Sequence, residues 1–314
     1  MKMTKLYGFK IGDTPLVKSL ELSKRYGCNV LIKDESKNQV SGTFKDRRNS
    51  FILMLDDKIK EPVYYVQISS GNSGISMGRL CRAYEKLTRK KRIAVNIVDN
   101  NISEEIKNKL KKLGVIIEVD LQKEIISNDA LIGIAREHLQ NKNAIIKLVE
   151  RINEDENEYE SIIGEIGEIV EKCKKEKIEL KYIFCPVGEG ELMAKLIWAI
   201  NKRKLNIKVI GVTIRENVFA SEKLFDSSIL KSIADKLICP YSNFKKILLD
   251  LCNQYGHEII IVEEKEILEE IGVLKEAEIN AEPSSAVAFA GVKKYSKNFN
   301  FNDEVIVINT GNGK

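Results

Sequence analysis

The chain is poor in the residues that most often hold metals. It has two histidines, His138 and His257, in 314 residues. The first falls in a helical pattern and the second just before a strand, and neither has a partner at metal-ligand spacing. Six cysteines stand at 28, 81, 173, 185, 239 and 252 without a CxxC pair. That argues against a zinc site or a disulfide framework, and several sit in apolar runs such as "LICP" and "IFCP". Buried free thiols in a reducing cytoplasm account for them. No apolar signal run opens the chain and no stretch is long enough to span a bilayer, so a cytoplasmic protein without a membrane partner is expected. One-sided charge is also lacking. Lys and Arg total 51 against 46 Asp and Glu, a formal +5, which gives no argument for nucleic acid. The best basic patch, "RKKR" (89–92), reads as a solvated turn.

Hydrophobic residues make up 43%, enough for the cores of two α/β lobes. Apolar, β-rich runs fall at 29–33, 63–68, 92–98, 115–119, 144–149, 182–187, 208–213, 258–262 and 304–309. Helical patterns of ten to twenty residues separate most of them, as in "SGISMGRLCRAYEKL" (73–87). Continuous apolar strands alternating with helices predict an α/β protein of twisted, mostly parallel sheets with helices on both faces. The polar stretch 150–161, "ERINEDENEYES", reads as a crossing between lobes. The expected division is a larger lobe of 1–46 and 151–314 and a smaller, movable lobe of 47–150.

Ligands in such sheets bind where strands run into helix starts. Three of these turns are rich in small residues: "SSGNSG" (69–74), "PVGEGE" (186–191) and the end "NTGNGK" (309–314). Glycine lets the backbone approach a ligand, and free amides at a helix start attract anions. A fourth turn, "SGTFKDRR" (41–48), places Lys45 where small residues give way to a helical pattern. A lysine there is either a surface residue that the helix dipole opposes, or an amine whose neutral form is favoured by burial and by the helix start.

These motifs together resemble the fold type II pyridoxal-phosphate enzymes, which include threonine synthase, threonine and serine dehydratases, cysteine synthase and the tryptophan synthase β-type fold. The likeness runs from "IGDTPLV" (11–17) to "NTGNGK". "NQVSGTFKDR" resembles the lysine motif, "SSGNSG" the substrate-carboxylate loop, "PVGEGELMA" the phosphate loop, and "EPSSAVAFAGV" (282–292) a helix start of the threonine synthase and dehydratase branches. The resemblance implies pyridoxal 5'-phosphate as cofactor, bound as a Schiff base on Lys45 in the larger lobe, with the same lysine moving the substrate's α-proton. It implies that Asn72 bonds the cofactor's phenolic oxygen and that Val187, Gly188, Glu189, Gly190 and Glu191 hold its phosphate. Thr310 would face the pyridine nitrogen, and Ser69, Ser70, Gly71 and Ser73 would bind the substrate carboxylate. A homodimer acting on a small amino acid is expected.

Two features depart from the family. Glu189 and Glu191 stand where small or neutral residues are usual, so their carboxylates should turn away from the phosphate. Arg48 stands where glycine is common. Phe44, "FKDR" and "KDES" (33–36) lean towards threonine synthase, acting on O-phosphohomoserine, whereas "SIADKL" (232–237) leans towards the dehydratases. No regulatory domain of the allosteric dehydratase kind is expected after Lys314. The alternatives are a threonine or serine ammonia-lyase, a cysteine synthase-like β-replacement, and a non-catalytic relative of the fold.

Overall fold

The computed structural model describes residues 6–69, 71–121, 128–139, 144–149, 160–220 and 231–312. The chain packs as two units. The first comprises Gly12–Lys37 and Tyr159–Lys314, and the second Met3–Ile11 and Asn38–Glu158. The division falls nine residues earlier than the sequence suggests, so Lys45 belongs to the smaller unit. The reason is local. The Val40 and Ser41 amides donate to Asp46 Oδ2 at 3.0 and 2.8 Å, and Arg79 Nη1 donates to the Val40 carbonyl at 2.5 Å. These bonds hold the turn before the lysine to the second unit.

The first unit carries a six-stranded sheet in the order β1-β2-β10-β7-β8-β9. Its strands are β1 (Leu16–Ser19), β2 (Asn29–Asp34), β7 (Leu180–Pro186), β8 (Lys208–Thr213), β9 (Glu258–Ile261) and β10 (Glu304–Asn309). All neighbours are parallel except the β1–β2 pair. The antiparallel edge strand is the one element that the apolar runs did not announce. It is four residues long, and its middle pair, Val17 and Lys18, is exposed. The second unit has a parallel four-stranded sheet, β5-β4-β3-β6, built from β3 (Val63–Ile68), β4 (Arg92–Asp99), β5 (Val115–Val119) and β6 (Ile145–Leu148).

Each sheet is apolar on both faces, as continuous apolar strands require. In β3, Val63 and Tyr65 pack with Met77 and Leu80 of helix α3 (Asn72–Thr88). Tyr64 and Val66, pointing the other way, pack with Leu131 and Ala135 of α5 (Asn128–His138). In the first unit, α10 (Pro283–Tyr295) lies in the core with Ala286, Phe289 and Ala290 among Phe184, Val212 and Val307. Pro283 opens that helix at a position where the missing N–H costs nothing.

All six cysteines are free and buried. Burial pushes the thiols of Cys28, Cys173 and Cys252 up to about 12, 11 and 11, so they pack as small apolar groups. No described helix is long and apolar enough to cross a membrane.

His257 has a structural role. Its Nδ1 accepts the Val209 amide at 3.1 Å, which places the ring proton on Nε2. Burial, with Lys208 as a second cause, lowers its pKa to about 4. An unfolded histidine charges near 6.5 and this one only near 4, so its contribution to stability is complete above about pH 6.5 and is lost as pH falls through that window. His257→Asn keeps an acceptor for Val209 and removes the titration. Its urea-unfolding free energy should therefore fall less steeply with acid across that window than the wild type's. Parallel slopes would assign the acid sensitivity to another group.

Candidate active site

The lysine turn is held by Asp46. This fully buried carboxylate accepts the Val40 and Ser41 amides and the Ser41 hydroxyl, the last at 2.5 Å. Ser41 Oγ also lies 2.9 Å from Thr43 Oγ1. Burial raises the Asp46 pKa, while bonds from Ser41 and Val40 oppose the rise. Lys45 is the first residue of α2 (Lys45–Leu55), half-buried, with Nζ 5.1 Å from the Phe44 ring centroid. The amine thus stands at a helix start whose preceding backbone is fixed.

The same helix ties down the "SSGNSG" loop. Arg48 Nη2 donates to Ser73 Oγ at 2.5 Å, and Asn49 Nδ2 donates to the Ser73 carbonyl at 3.1 Å. Ser73 Oγ passes its own proton to Gln67 Oε1. The Ser73 hydroxyl therefore bonds a buried guanidinium and the Gln67 side chain. Ser69 Oγ accepts the Gly71 and Gly74 amides at 3.2 and 2.9 Å and so caps α3. Gly71 has φ +140°, a conformation that side chains strongly disfavour. Asn72 follows as the first helical residue and is buried. Ser70 lies outside the described residues. The second unit thus holds Lys45 at the head of α2, and Ser69, Gly71, Asn72 and Ser73 at the head of α3, with α2 bonded to α3 through Arg48, Asn49 and Ser73.

In the first unit, Val187–Glu191 follows β7 and Thr310 follows β10. These strands are neighbours, so both features lie at the carboxyl edge of one sheet. Three carbonyls of the loop are anchored in turn. Asn217 Nδ2 donates to the Leu237 and Gly188 carbonyls at 2.7 and 2.9 Å and shares a proton with that of Val187 at 3.2 Å, which also accepts the Thr213 hydroxyl at 2.8 Å. Ser242 Oγ donates to the Glu189 carbonyl at 2.5 Å. In a trans peptide the N–H points opposite to the C=O, and the described chain has no cis bond. Anchoring the carbonyls of 187, 188 and 189 therefore turns the amides of 188, 189 and 190 to the other side. Successive amides leading into α7 (Glu191–Lys202) make a phosphate-binding arrangement. Gly190 has φ +91°, and a Cβ there would come within 2.8 Å of Leu248 and Phe219.

Glu191 is charge-paired. Its Oε1 lies 2.5 Å from Lys195 Nζ, one turn along α7, and both side chains are buried. Its carboxylate is directed along its own helix. Thr310 is buried, and its amide and hydroxyl donate to Ser285 Oγ at 2.7 and 3.2 Å. Sequence reasoning missed Asn217 and Ser242. Each is a single polar residue in a loop, with no pattern around it.

Asn217 is fully buried, and its Oδ1 also accepts the Phe219 amide at 3.0 Å. Asn217→Ala would take their partner from the Leu237 and Gly188 carbonyls and the Phe219 amide, while Val187 keeps Thr213, at about 1–3 kcal/mol for each buried group left unpaired. Urea titration should show a loss of at least ~2 kcal/mol in unfolding free energy. A change below ~0.5 kcal/mol, the ordinary range for a surface residue, would remove its anchoring role.

Each unit carries groups that suit pyridoxal phosphate: the second an amine at a fixed helix start, and the first a row of amides entering a helix and a hydroxyl at the neighbouring strand end. Comparison with known proteins agrees. The family described as "Pyridoxal-phosphate dependent enzyme" matches residues 8–311. The biosynthetic L-threonine dehydratase of Pasteurella multocida is 27% identical over 154 residues, 48% of this chain and 30% of that enzyme. The match thus spans less than a third of the length of that curated relative. Among solved structures, a hydrogen sulfide-producing enzyme from Fusobacterium nucleatum superposes with a TM-score of 0.75 at 18% identity, covering 97% of this chain and 96% of its own. A fungal L-serine ammonia-lyase from Rhizomucor miehei gives 0.71 at 18%, covering 96% and 94%. From its sheets to the motif at each strand end, the chain belongs to the fold type II pyridoxal-phosphate dependent enzymes, and its cofactor is pyridoxal 5'-phosphate.

Proposed function

We propose that the protein is an ammonia-lyase acting on a small β-hydroxy amino acid such as threonine or serine. The observation that carries this reading is the 27% identity to a threonine dehydratase across almost half of the chain. The threonine synthase reading fares worse. It needs a cation for a second phosphate, on the substrate, and Arg48, one of the two arginines beside Lys45, is 2% exposed and bonded to Ser73 and Asn49. "FKDR" and "KDES" leaned towards that reading, but the first builds the lysine turn and the second ends β2, and neither says what leaves the substrate.

Bound pyridoxal phosphate supplies an electron-withdrawing ring that acidifies the α-C–H of an amino acid. The protein supplies the rest. The amides around Asn72, at the start of α3, favour the substrate carboxylate through the helix dipole. The Asn72 side chain orients the ring through its phenolic oxygen, and the amides of 188–190 hold the phosphate. The Lys45 amine takes the α-proton, and the β-hydroxyl departs as water. A second water is taken up when ammonia is released, so the net change is amino acid to 2-oxo acid plus ammonia. Thr310 is a neutral hydroxyl residue at the pyridine nitrogen, so it does not hold that nitrogen protonated as a carboxylate would. The weaker electron sink that results favours elimination over transamination.

Two measurements test this reading. With the purified protein and cofactor, 2-oxo acid formation from threonine or serine should exceed threonine formation from O-phosphohomoserine by at least about tenfold, a difference of ~1.4 kcal/mol in barrier. The reverse ranking would restore threonine synthase. Borohydride reduction followed by peptide mapping should recover the cofactor on Lys45, and a label on any other lysine would sink the site assignment.

A further inference from the structure

Ser285 is the third residue of α10, fully buried, inside the "EPSS" stretch. It has one proton and two lone pairs, and the structure accounts for all three. The chain of bonds starts at Asn309, whose Nδ2 donates to Asp34 Oδ1 at 2.9 Å and to the Asn280 carbonyl at 3.1 Å. A carboxylate and a carbonyl can only accept, so the amide orientation of Asn309 is fixed and its Oδ1 faces Ser285. That oxygen takes the Ser285 proton at 2.7 Å. Ser285 Oγ is left as an acceptor, and both of its remaining partners belong to Thr310: the amide at 2.7 Å and the hydroxyl at 3.2 Å.

The two bonds to Thr310 differ in strength. The amide bond is short and fixes the backbone as it leaves β10. The hydroxyl bond is longer than the usual O–H···O distance of about 2.7–2.8 Å, and it reaches an oxygen already engaged by a stronger donor. Ser285 cannot donate back, because its proton is committed to Asn309. Thr310 therefore keeps a hydroxyl proton that a closer acceptor can capture, on a backbone that does not move.

We propose that Ser285, oriented by Asn309 and Asp34, is a positioning residue that holds Thr310 as a poised hydrogen-bond donor to the cofactor ring. The proposal rests on the reading that Thr310 faces the ring nitrogen, and its test separates the two. Wild type, Ser285→Ala, Thr310→Val and the double variant are each titrated with pyridoxal phosphate. The nitrogen-15 resonance of ring-labelled cofactor is then recorded on each loaded protein. Ser285→Ala should raise the cofactor Kd about two- to tenfold, the loss of roughly one hydrogen bond, and should move the ring-nitrogen resonance. In the Thr310→Val background the same change should alter Kd less than twofold and leave the resonance in place. Equal effects in both backgrounds would make Ser285 a general prop of the fold and overturn the proposal, as would no effect in either. If Thr310→Val alone matches the wild type in both readouts, the reading of Thr310 falls and takes the proposal with it. Should the alanine variant not fold, Ser285→Cys runs the same cycle with a weaker acceptor of similar size.

Discussion

One buried carboxylate fixes the backbone that leads into Lys45. Asp46, next in sequence to Lys45, reaches back to three donors on Val40 and Ser41. A buried carboxylate is expensive without such partners, which is why its side chain and the turn specify each other. Arg48, two residues on, reaches to Ser73, and Asn49 grips the same residue's carbonyl. The first turn of α2 thus ties the turn before it to the loop at the head of α3. Positioning of this kind is what lets an amine attack or accept a proton without first being ordered.

The larger unit follows the same logic with different chemistry. Its anchors are neutral side chains donating to backbone carbonyls, Asn217 and Ser242 under the glycine loop. Because a trans peptide opposes its two polar groups, holding the carbonyls from within aims the amides outward. The loop needs no cationic side chain in order to attract an anion. Preorganised amides also lose little on binding, since their orientation is already set.

The strands were legible because parallel sheets covered on both faces demand unbroken apolar runs. All nine runs became strands, with ends shifted by a residue or two. β1 was not legible, since a short edge strand with Val17 and Lys18 exposed shows no such run. The lysine, asparagine and glycine motifs could be read because each needs small residues at fixed offsets from a helix start. Their supports could not. Asp46 looks like an ordinary acidic residue in a first helical turn, and nothing around Asn217 marks it.

Glu191 shows why a departure from a family's motif need not be a departure from its chemistry. Two like charges about 4 Å apart cost ~1 kcal/mol in water and ~4 kcal/mol at an effective dielectric of 20. An unpaired carboxylate facing a phosphate would therefore be selected against. Glu191 instead pairs with Lys195, one turn along the same helix. At a phosphate, that pair acts as a dipole, whose field falls off faster than that of a single charge. The glutamate also sits in the first turn of α7, where the helix's own dipole favours a negative side chain. Buried ion pairs seldom add net stability, so the Glu191–Lys195 pair is better understood as permitting a carboxylate here than as strengthening the fold. The pairing places the Glu191 charge along α7 and leaves the amides of 188–190 free of it.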